Sequence, residues 1–226
     1  MKRRQFAMVL AGGGACLSGQ AVWASFLSEG DAAAGIRAAL ERGAIAAVGL
    51  LGRPDGFLGN AQVRIPLPGF LNQAAKFMKM TGQGRKVDEL VTGMNRAAEA
   101  AVPAARALLV TAAKDISVDD ALKIVRGSQT SVTDYFARKT RAPLAERFLP
   151  IVKHQTERLS LAARYNALGG KAASMGLMKP EEANVQQYVT AKALDGLFLM
   201  IGQEEKKIRA DPVGTGSALL RKVFGA

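Results

Sequence analysis

Apolar residues recur at helical spacing along most of the chain. Ile36, Leu40, Ile45 and Val48 repeat every three to five residues within an alanine-rich run. This spacing places an apolar stripe on one face of an α-helix. Similar patterns follow along the sequence, and no segment sustains the alternation of apolar and polar residues that a strand shows. We therefore predict an all-α, single-domain bundle of about eight or nine helices.

Capping and helix-breaking residues predict several helix boundaries. Ser117 and Asp120 resemble a capping box at the start of one helix. Pro143 is expected to begin a long helix that bends at Pro150, and Pro180 to open another that runs to about residue 209. A glycine-rich turn at 211–217 precedes a last short helix. This turn lacks the lysine and the spacing of a phosphate-binding loop, so a capped turn is favoured.

One segment departs from helical spacing, and we call residues 53–68 the strap. Residues 53–60 predict consecutive turns, and the prolines at 66 and 68 keep the end of the segment extended. Because proline cannot donate to a strand ladder, we expect an edge segment or a strap rather than a central strand.

The strap brings polar side chains close together around an apolar pair. Arg53, Asp55, Asn60 and Arg64 flank a Phe-Leu dipeptide. One interpretation is a site for an anion or a partner protein, with the apolar pair as an anchor. The other is a self-packed loop in which Asp55 binds turn amides and the arginines are solvated.

Two further sets of polar residues lie within apolar surroundings. Asn95 and Glu99 share a helix face by their spacing of four, which suits either a pocket lining or an interhelical bond. Asp195 follows Lys192 by about one turn, inside a run, 194–201, that is apolar nearly all round and is predicted to be fully buried. A buried carboxylate must be paired, hydrogen-bonded or protonated. The candidate residues for ligand or partner binding are Arg53, Asp55, Asn60, Arg64, Asn95, Glu99, Tyr165, Asn166, Lys192 and Asp195.

Composition excludes several classes of site. The chain has 226 residues, with a single Cys and a single His, so neither a disulfide framework nor a zinc cluster can be assembled from it. We expect no metal and no cofactor, and His154, flanked by polar residues, is expected to be solvated. The net charge is +12. Because the basic residues are scattered and aromatic residues make up only 6% of the chain, nucleic-acid binding is disfavoured.

The first 24 residues have the pattern of a cleavable export signal. A short basic start precedes a modestly apolar, glycine-containing run, and small or aliphatic residues precede a cleavage point after Ala24. The run is too short for a membrane span. The arginine pair at 3–4 leaves the twin-arginine and secretory routes both open. A lipid anchor at Cys16 is disfavoured, because Gly13 occupies the position where a lipobox needs a large aliphatic residue.

Cleavage would leave a mature chain, 25–226, that is a single helical domain in the periplasm. Removal of three basic residues and no acid lowers its net charge from +12 to +9. The mature chain would contain no cysteine, which suits an oxidising compartment.

Several blocks of residues together resemble a known family. They are GRPDGFLGN at 52–60, VRIPLP at 63–68, MNRAAE at 94–99, YNAL at 165–168, KALDGLF at 192–198 and DPVGTGSALL at 211–220. The chain, over about 31–225, is similar to the proteobacterial envelope family named domain of unknown function 4197. The resemblance implies an exported, mostly helical protein, often described as a putative lipoprotein, with no established activity and no catalytic residues to carry over. Cys16 departs from the lipoprotein description.

Three functions remain open at this point. The leading one is non-enzymatic binding of an apolar or amphipathic ligand, or of an envelope partner, in a groove between alanine-lined helices beside the strap. The second is an acid–base enzyme built on Asn95, Glu99, Tyr165 and Asp195. The third is a structural or assembly factor of the cell envelope. Peripheral contact with a membrane is compatible with the basic charge, and the oligomeric state stays open.

Overall fold

The computed structural model describes residues 29–125, 127–128, 130–176, 179 and 182–211. Within this part of the chain the backbone forms eight α-helices and no strand, which confirms the all-α prediction. The helices are α1 (Glu29–Leu51), α2 (Asn72–Met80), α3 (Gly84–Ala101), α4 (Ala105–Lys114), α5 (Val118–Val125), α6 (Ser131–Thr156), α7 (Ala162–Ser174) and α8 (Val185–Ala210). Single 3-10 turns, Gly69–Leu71 and Val102–Ala104, precede α2 and α4. The predicted export signal and the last short helix lie outside the described residues, as does all of the glycine-rich turn except Asp211.

Helix α8 lies at the centre of the bundle, where it packs against α6, α1 and α3. Leu197 is fully buried, and so are most of its neighbours in the run 194–201. The prediction that the whole run is buried is wrong, because Asp195 and Leu199 are exposed. These two residues are four apart and therefore share the one face of α8 that points to solvent.

Helix α6 is continuous through both of its prolines, so the prediction that Pro143 begins a new helix is wrong. A proline inside a helix costs about 3 kcal/mol, because it removes one backbone hydrogen bond and crowds the preceding turn. One face of α6 repeats a buried residue every four positions. Burial of a single large apolar side chain contributes about 1.5–3 kcal/mol. Packing of this face therefore outweighs the local cost of Pro143 and Pro150. The buried residues of this face are Val132, Phe136, Thr140, Leu144, Phe148, Val152 and Thr156.

The termini of two helices depend on specific caps. Asn184 caps α8, since its Oδ1 accepts hydrogen bonds from the amides of Gln186 and Gln187 at 2.9 and 3.1 Å. The described part of α8 thus begins at Val185, five residues later than predicted. The predicted cap at Ser117 is confirmed, because its Oγ accepts from the Asp120 amide at 3.1 Å.

Candidate functional site

Asn95 of α3 holds the extended end of the strap. Its Oδ1 accepts from the Ile65 amide at 2.8 Å, and its Nδ2 donates to the Ile65 carbonyl at 2.9 Å. The fully buried side chain therefore gives Ile65 the two hydrogen bonds that a neighbouring strand would give. The strap stays extended without a sheet because this amide satisfies its buried backbone.

Glu99, one turn further along α3, holds the turns of the strap. Its Oε1 accepts from the amides of Phe57 and Leu58 at 3.0 and 3.1 Å. Its Oε2 accepts from Arg96 at 2.7 Å, and Arg96 also donates to Asp55 at 2.8 Å. Both hydrogen bonds raise the pKa of the Arg96 guanidinium, and the one to Glu99 has the larger effect. The interpretation in which Asp55 binds the turn amides needs correction, because Glu99 binds those of Phe57 and Leu58.

The inner side of the strap packs on α8. Phe57 is fully buried over Gly196, where an added Cβ would lie 2.8 Å from the Phe57 Cε1. Glycine therefore lets the ring approach the α8 backbone closely. Further along, the Tyr188 hydroxyl donates to the Pro66 carbonyl at 3.0 Å. Burial raises the pKa of Tyr188 to about 12, so the hydroxyl stays protonated as a donor.

The outer side of the strap is open to solvent. Arg53 and Arg64 are exposed, and neither forms a side-chain hydrogen bond or ion pair within the described residues. Asn60 is half-buried, and its Oδ1 accepts from the Gln62 amide at 3.1 Å inside the strap itself. The two arginines are therefore available to an external partner, while Asn60 shapes the turn.

Tyr165 and Asn166 of α7 hold the segment that leads into α8. The Tyr165 hydroxyl donates to the Glu182 carbonyl at 2.8 Å, and Asn166 Oδ1 accepts from the Val185 amide at the same distance. Burial is the main reason that the pKa of Tyr165 lies well above its ordinary value. This phenol is a poor acid or base at neutral pH.

Asp195 belongs to a surface ion pair. It accepts a hydrogen bond from Arg141 of α6, and its other oxygen lies 3.9 Å from Lys192 Nζ. All three side chains are about half exposed. An ion pair of this kind contributes at most about 1 kcal/mol.

The candidate acid–base residues therefore do not form one constellation. Across the described ranges, no hydrogen bond or ion pair joins Asp195 or Tyr165 to Asn95 or Glu99. Each of these side chains has a separate partner that accounts for it. His154 is exposed on α6. The described residues also contain no group of three or more His, Cys, Asp or Glu placed to hold a metal ion.

An apolar groove of about 190 Å³ lies between α2, α3 and α7, beside the end of the strap. Arg164 is the charged residue in its lining, and Tyr165 is the only lining residue among the predicted candidates. The sequence predicted a groove between alanine-lined helices beside the strap but did not identify its other lining residues, although Tyr165 and Leu168 lie three residues apart on one face of α7. The lining residues are Leu67, Leu71, Ala74, Ala75, Met78, Val87, Leu90, Leu161, Arg164, Tyr165 and Leu168.

A second depression, of about 790 Å³, lies between α6 and α8. Four alanines line it together with Arg138, Arg141 and Glu146. The buried Thr190 hydroxyl lines it and has no hydrogen-bond partner among the described residues. Its charged edges distinguish this surface from the groove on α7, whose walls are almost entirely apolar.

Fold and site together define an all-α protein in which α3 holds an extended strap and three helices enclose an apolar groove. A family model described as "Protein of unknown function (DUF4197)" matches residues 26–225, and the chain belongs to this family. No curated protein and no solved structure matches the chain. Among the helices described, none is long and apolar enough to cross a membrane.

Proposed function

We propose that this protein is a non-enzymatic, periplasmic binder of an amphipathic molecule whose hydrocarbon part lies in the groove between α2, α3 and α7. The groove itself is the observation that supports the proposal. Leucine, alanine, valine and methionine side chains form most of its walls, and such walls favour hydrocarbon because its burial removes apolar surface from water.

The size of the groove suits part of a chain rather than a whole large ligand. An apolar cavity of about 150 Å³ in another protein is large enough for benzene. A groove of about 190 Å³ would accommodate a short hydrocarbon segment, with the remainder of the molecule extending from its open side. A single acyl chain fits this description better than a rigid polycyclic ligand.

The position of Arg164 favours a ligand with an anionic head group. It is the charged residue of the lining, and it is exposed without an ion-pair partner in the described part of the chain. The Tyr165 hydroxyl already donates to the Glu182 carbonyl, so the ligand does not need to supply a hydrogen-bond acceptor for it. A carboxylate or phosphate at the mouth of the groove would pair with the Arg164 guanidinium.

Export to the periplasm rests on the sequence of the first 24 residues. That location suits a lipid-like ligand, since the envelope is the source of such molecules. A strap-mediated contact with an envelope protein is the second candidate function. The exposed Arg53 and Arg64, which have no ion-pair partner within the described ranges, favour it. A pull-down that recovers the same partners after Arg53→Ala and Arg64→Ala would count against the strap as the contact surface.

Displacement of a fluorescent fatty acid, in solution and without vesicles, tests the groove. Ala75 is half-buried in the groove wall, so Ala75→Phe should fill the space and weaken probe binding at least about tenfold. Ala107→Phe is the matched control, because Ala107 is exposed on α4. Equal binding by both variants, or no binding by the unmodified protein, would overturn the proposal.

Arg164→Gln tests the head group separately. This variant should weaken a fatty acid about fivefold to tenfold and leave the corresponding fatty alcohol unchanged. Native mass spectrometry of the purified protein, followed by solvent extraction, would then identify the bound molecule. Equal losses of affinity for the acid and the alcohol would show that Arg164 does not bind the head group.

A further inference from the structure

Large apolar side chains are exposed on one part of the surface. Among the described residues, five of the eight exposed large hydrophobic side chains lie on α2, on α7, or on the turn before or after them. They are Phe70, Phe77, Met80, Leu168 and Met175. Met80 is 86% exposed and Phe77 is 67% exposed, so water covers most of both side chains. Scattered single residues need no explanation, but a grouped set indicates an interaction surface.

The spacing of these residues places them together. Phe70, Phe77 and Met80 follow one another at intervals of seven and three, which aligns them along one side of α2 and its preceding turn. The Phe70 ring contacts the Tyr165 ring of α7 edge to face, with centroids 5.9 Å apart. The turn that precedes α2 therefore lies against α7, on which Leu168 is a further exposed apolar side chain.

Basic residues outnumber acidic ones in the segments that carry this surface. The segment 69–90 contains four basic and two acidic residues, and α7 contains Arg164 and Lys171 with no acid. Lys79 pairs with Asp88 at 3.3 Å, whereas Lys76 is exposed and has no such partner in the described ranges. Apolar side chains bordered by lysine and arginine are complementary to an anionic bilayer, which offers hydrocarbon beneath negative head groups.

We propose that the exposed side of α2, with the adjoining surface of α7, is a docking surface for an anionic phospholipid bilayer. Phe77 and Met80 enter the boundary between head groups and acyl chains, and Lys76 lies against the phosphates. Of the five exposed side chains only Leu168 also lines the groove, so docking through Phe77, Met80 and Lys76 does not require a bound ligand. It would bring the open side of the groove close to the bilayer.

A tryptophan placed on the surface reports docking at that point. The chain has one Trp, at position 23, so Trp23→Phe followed by Phe77→Trp leaves a single tryptophan on α2. Its emission should shift to shorter wavelength with vesicles containing phosphatidylglycerol, and brominated lipids should quench it. Vesicles of phosphatidylcholine alone should have little effect. Leu199→Trp, in the same background, is the matched control, because Leu199 is exposed on α8.

Co-sedimentation of the full chain with the same vesicles measures affinity. The full chain retains the basic, apolar N-terminal residues, so each variant is compared with a matched control that retains them too. Phe77→Ser with Met80→Ser should weaken binding about tenfold relative to Leu199→Ser. Lys76→Gln should weaken it about fivefold relative to Lys206→Gln, an exposed lysine of α8.

The outcomes separate docking from ligand binding. Ala75→Phe should keep vesicle docking while it loses the fatty acid, because it fills the groove and leaves the exposed side chains in place. Emission from position 77 that is unchanged by excess anionic vesicles, or shifted no more than emission from position 199, would overturn the docking surface. Equal shifts with neutral and anionic vesicles would also overturn it.

Discussion

Loss of the Glu99 carboxylate should destabilise the protein by releasing the strap. Glu99 is 5% exposed, and Glu99→Ala removes the acceptor for the amides of Phe57 and Leu58. The hydrogen bond from the Phe57 amide to Glu99 is buried, and the one from the Leu58 amide is partly buried. An unsatisfied buried donor costs about 1–3 kcal/mol. The Arg96 side chain is 41% exposed, and its contact with Glu99 adds little. We therefore expect a loss of about 3 kcal/mol in the free energy of unfolding.

Urea and thermal unfolding, followed by far-ultraviolet circular dichroism, would measure this loss. For a chain of this size, 3 kcal/mol corresponds to a fall of about 6–12 °C in Tm. Asp55→Asn is the matched control. It removes the exposed end of the same network, and asparagine tolerates the positive φ of 63° at this position.

The Asp55→Asn variant should stay within about 0.5 kcal/mol of the unmodified protein. The reasoning is refuted if Glu99→Ala loses no more stability than Asp55→Asn. Such a result would mean that water replaces the carboxylate at the two amides, and that the strap does not depend on α3 at this point.

Three further predictions test the contacts of the strap and of α8. Gly196→Ala should lower the free energy of unfolding by about 2 kcal/mol, because its Cβ would press on the buried Phe57 ring. Gly49→Ala, which has open space around it, should raise the free energy of unfolding by up to about 1 kcal/mol. Urea unfolding curves measure both changes, and equal effects would contradict the packing argument. Burial raises the pKa of Tyr188 from 10.0 to about 12, so the folded state holds this proton more tightly. Its contribution to stability is complete below pH 10 and falls as the pH rises through 12. Tyr188→Phe should reduce that alkaline fall in unfolding experiments, and an unchanged profile would remove Tyr188 as its source. Asn95→Ala should speed tryptic cleavage after Arg64 several-fold, since the backbone at position 65 loses both bonds to Asn95; cleavage at the original rate would show that other contacts hold the strap.

Periodicity and breakers predicted most of the fold because they act over short distances along the chain. The non-helical strap and the cap at Ser117 are both where local residues indicate. The long α6 was mispredicted because a proline has a known local cost, whereas the compensating burial comes from helices distant in sequence. A proline in the sequence therefore predicts a helix break that does not form when burial of one helix face is sufficiently stabilising.

The candidate polar residues show the same division. The spacing of Asn95 and Glu99 predicted that they share one face of α3. It did not predict that they bind the strap amides, which lie 30 to 42 residues away in the sequence. Asp195 lies in an apolar run, yet its position on α8 directs it to the surface beside Arg141. A run of apolar letters does not show which side of a helix faces the core.

The sequence alone is sufficient for the helical class, the strap, the exclusion of a zinc ribbon and of a disulfide framework, and the family resemblance. Each of these depends on composition or on neighbouring residues. The groove and the exposed α2 surface emerge only when α2, α3 and α7 are brought together. Leu90 and Tyr165 are distant in sequence, and no spacing rule joins them. A groove is empty space between elements, and its existence depends on how far apart packing leaves them.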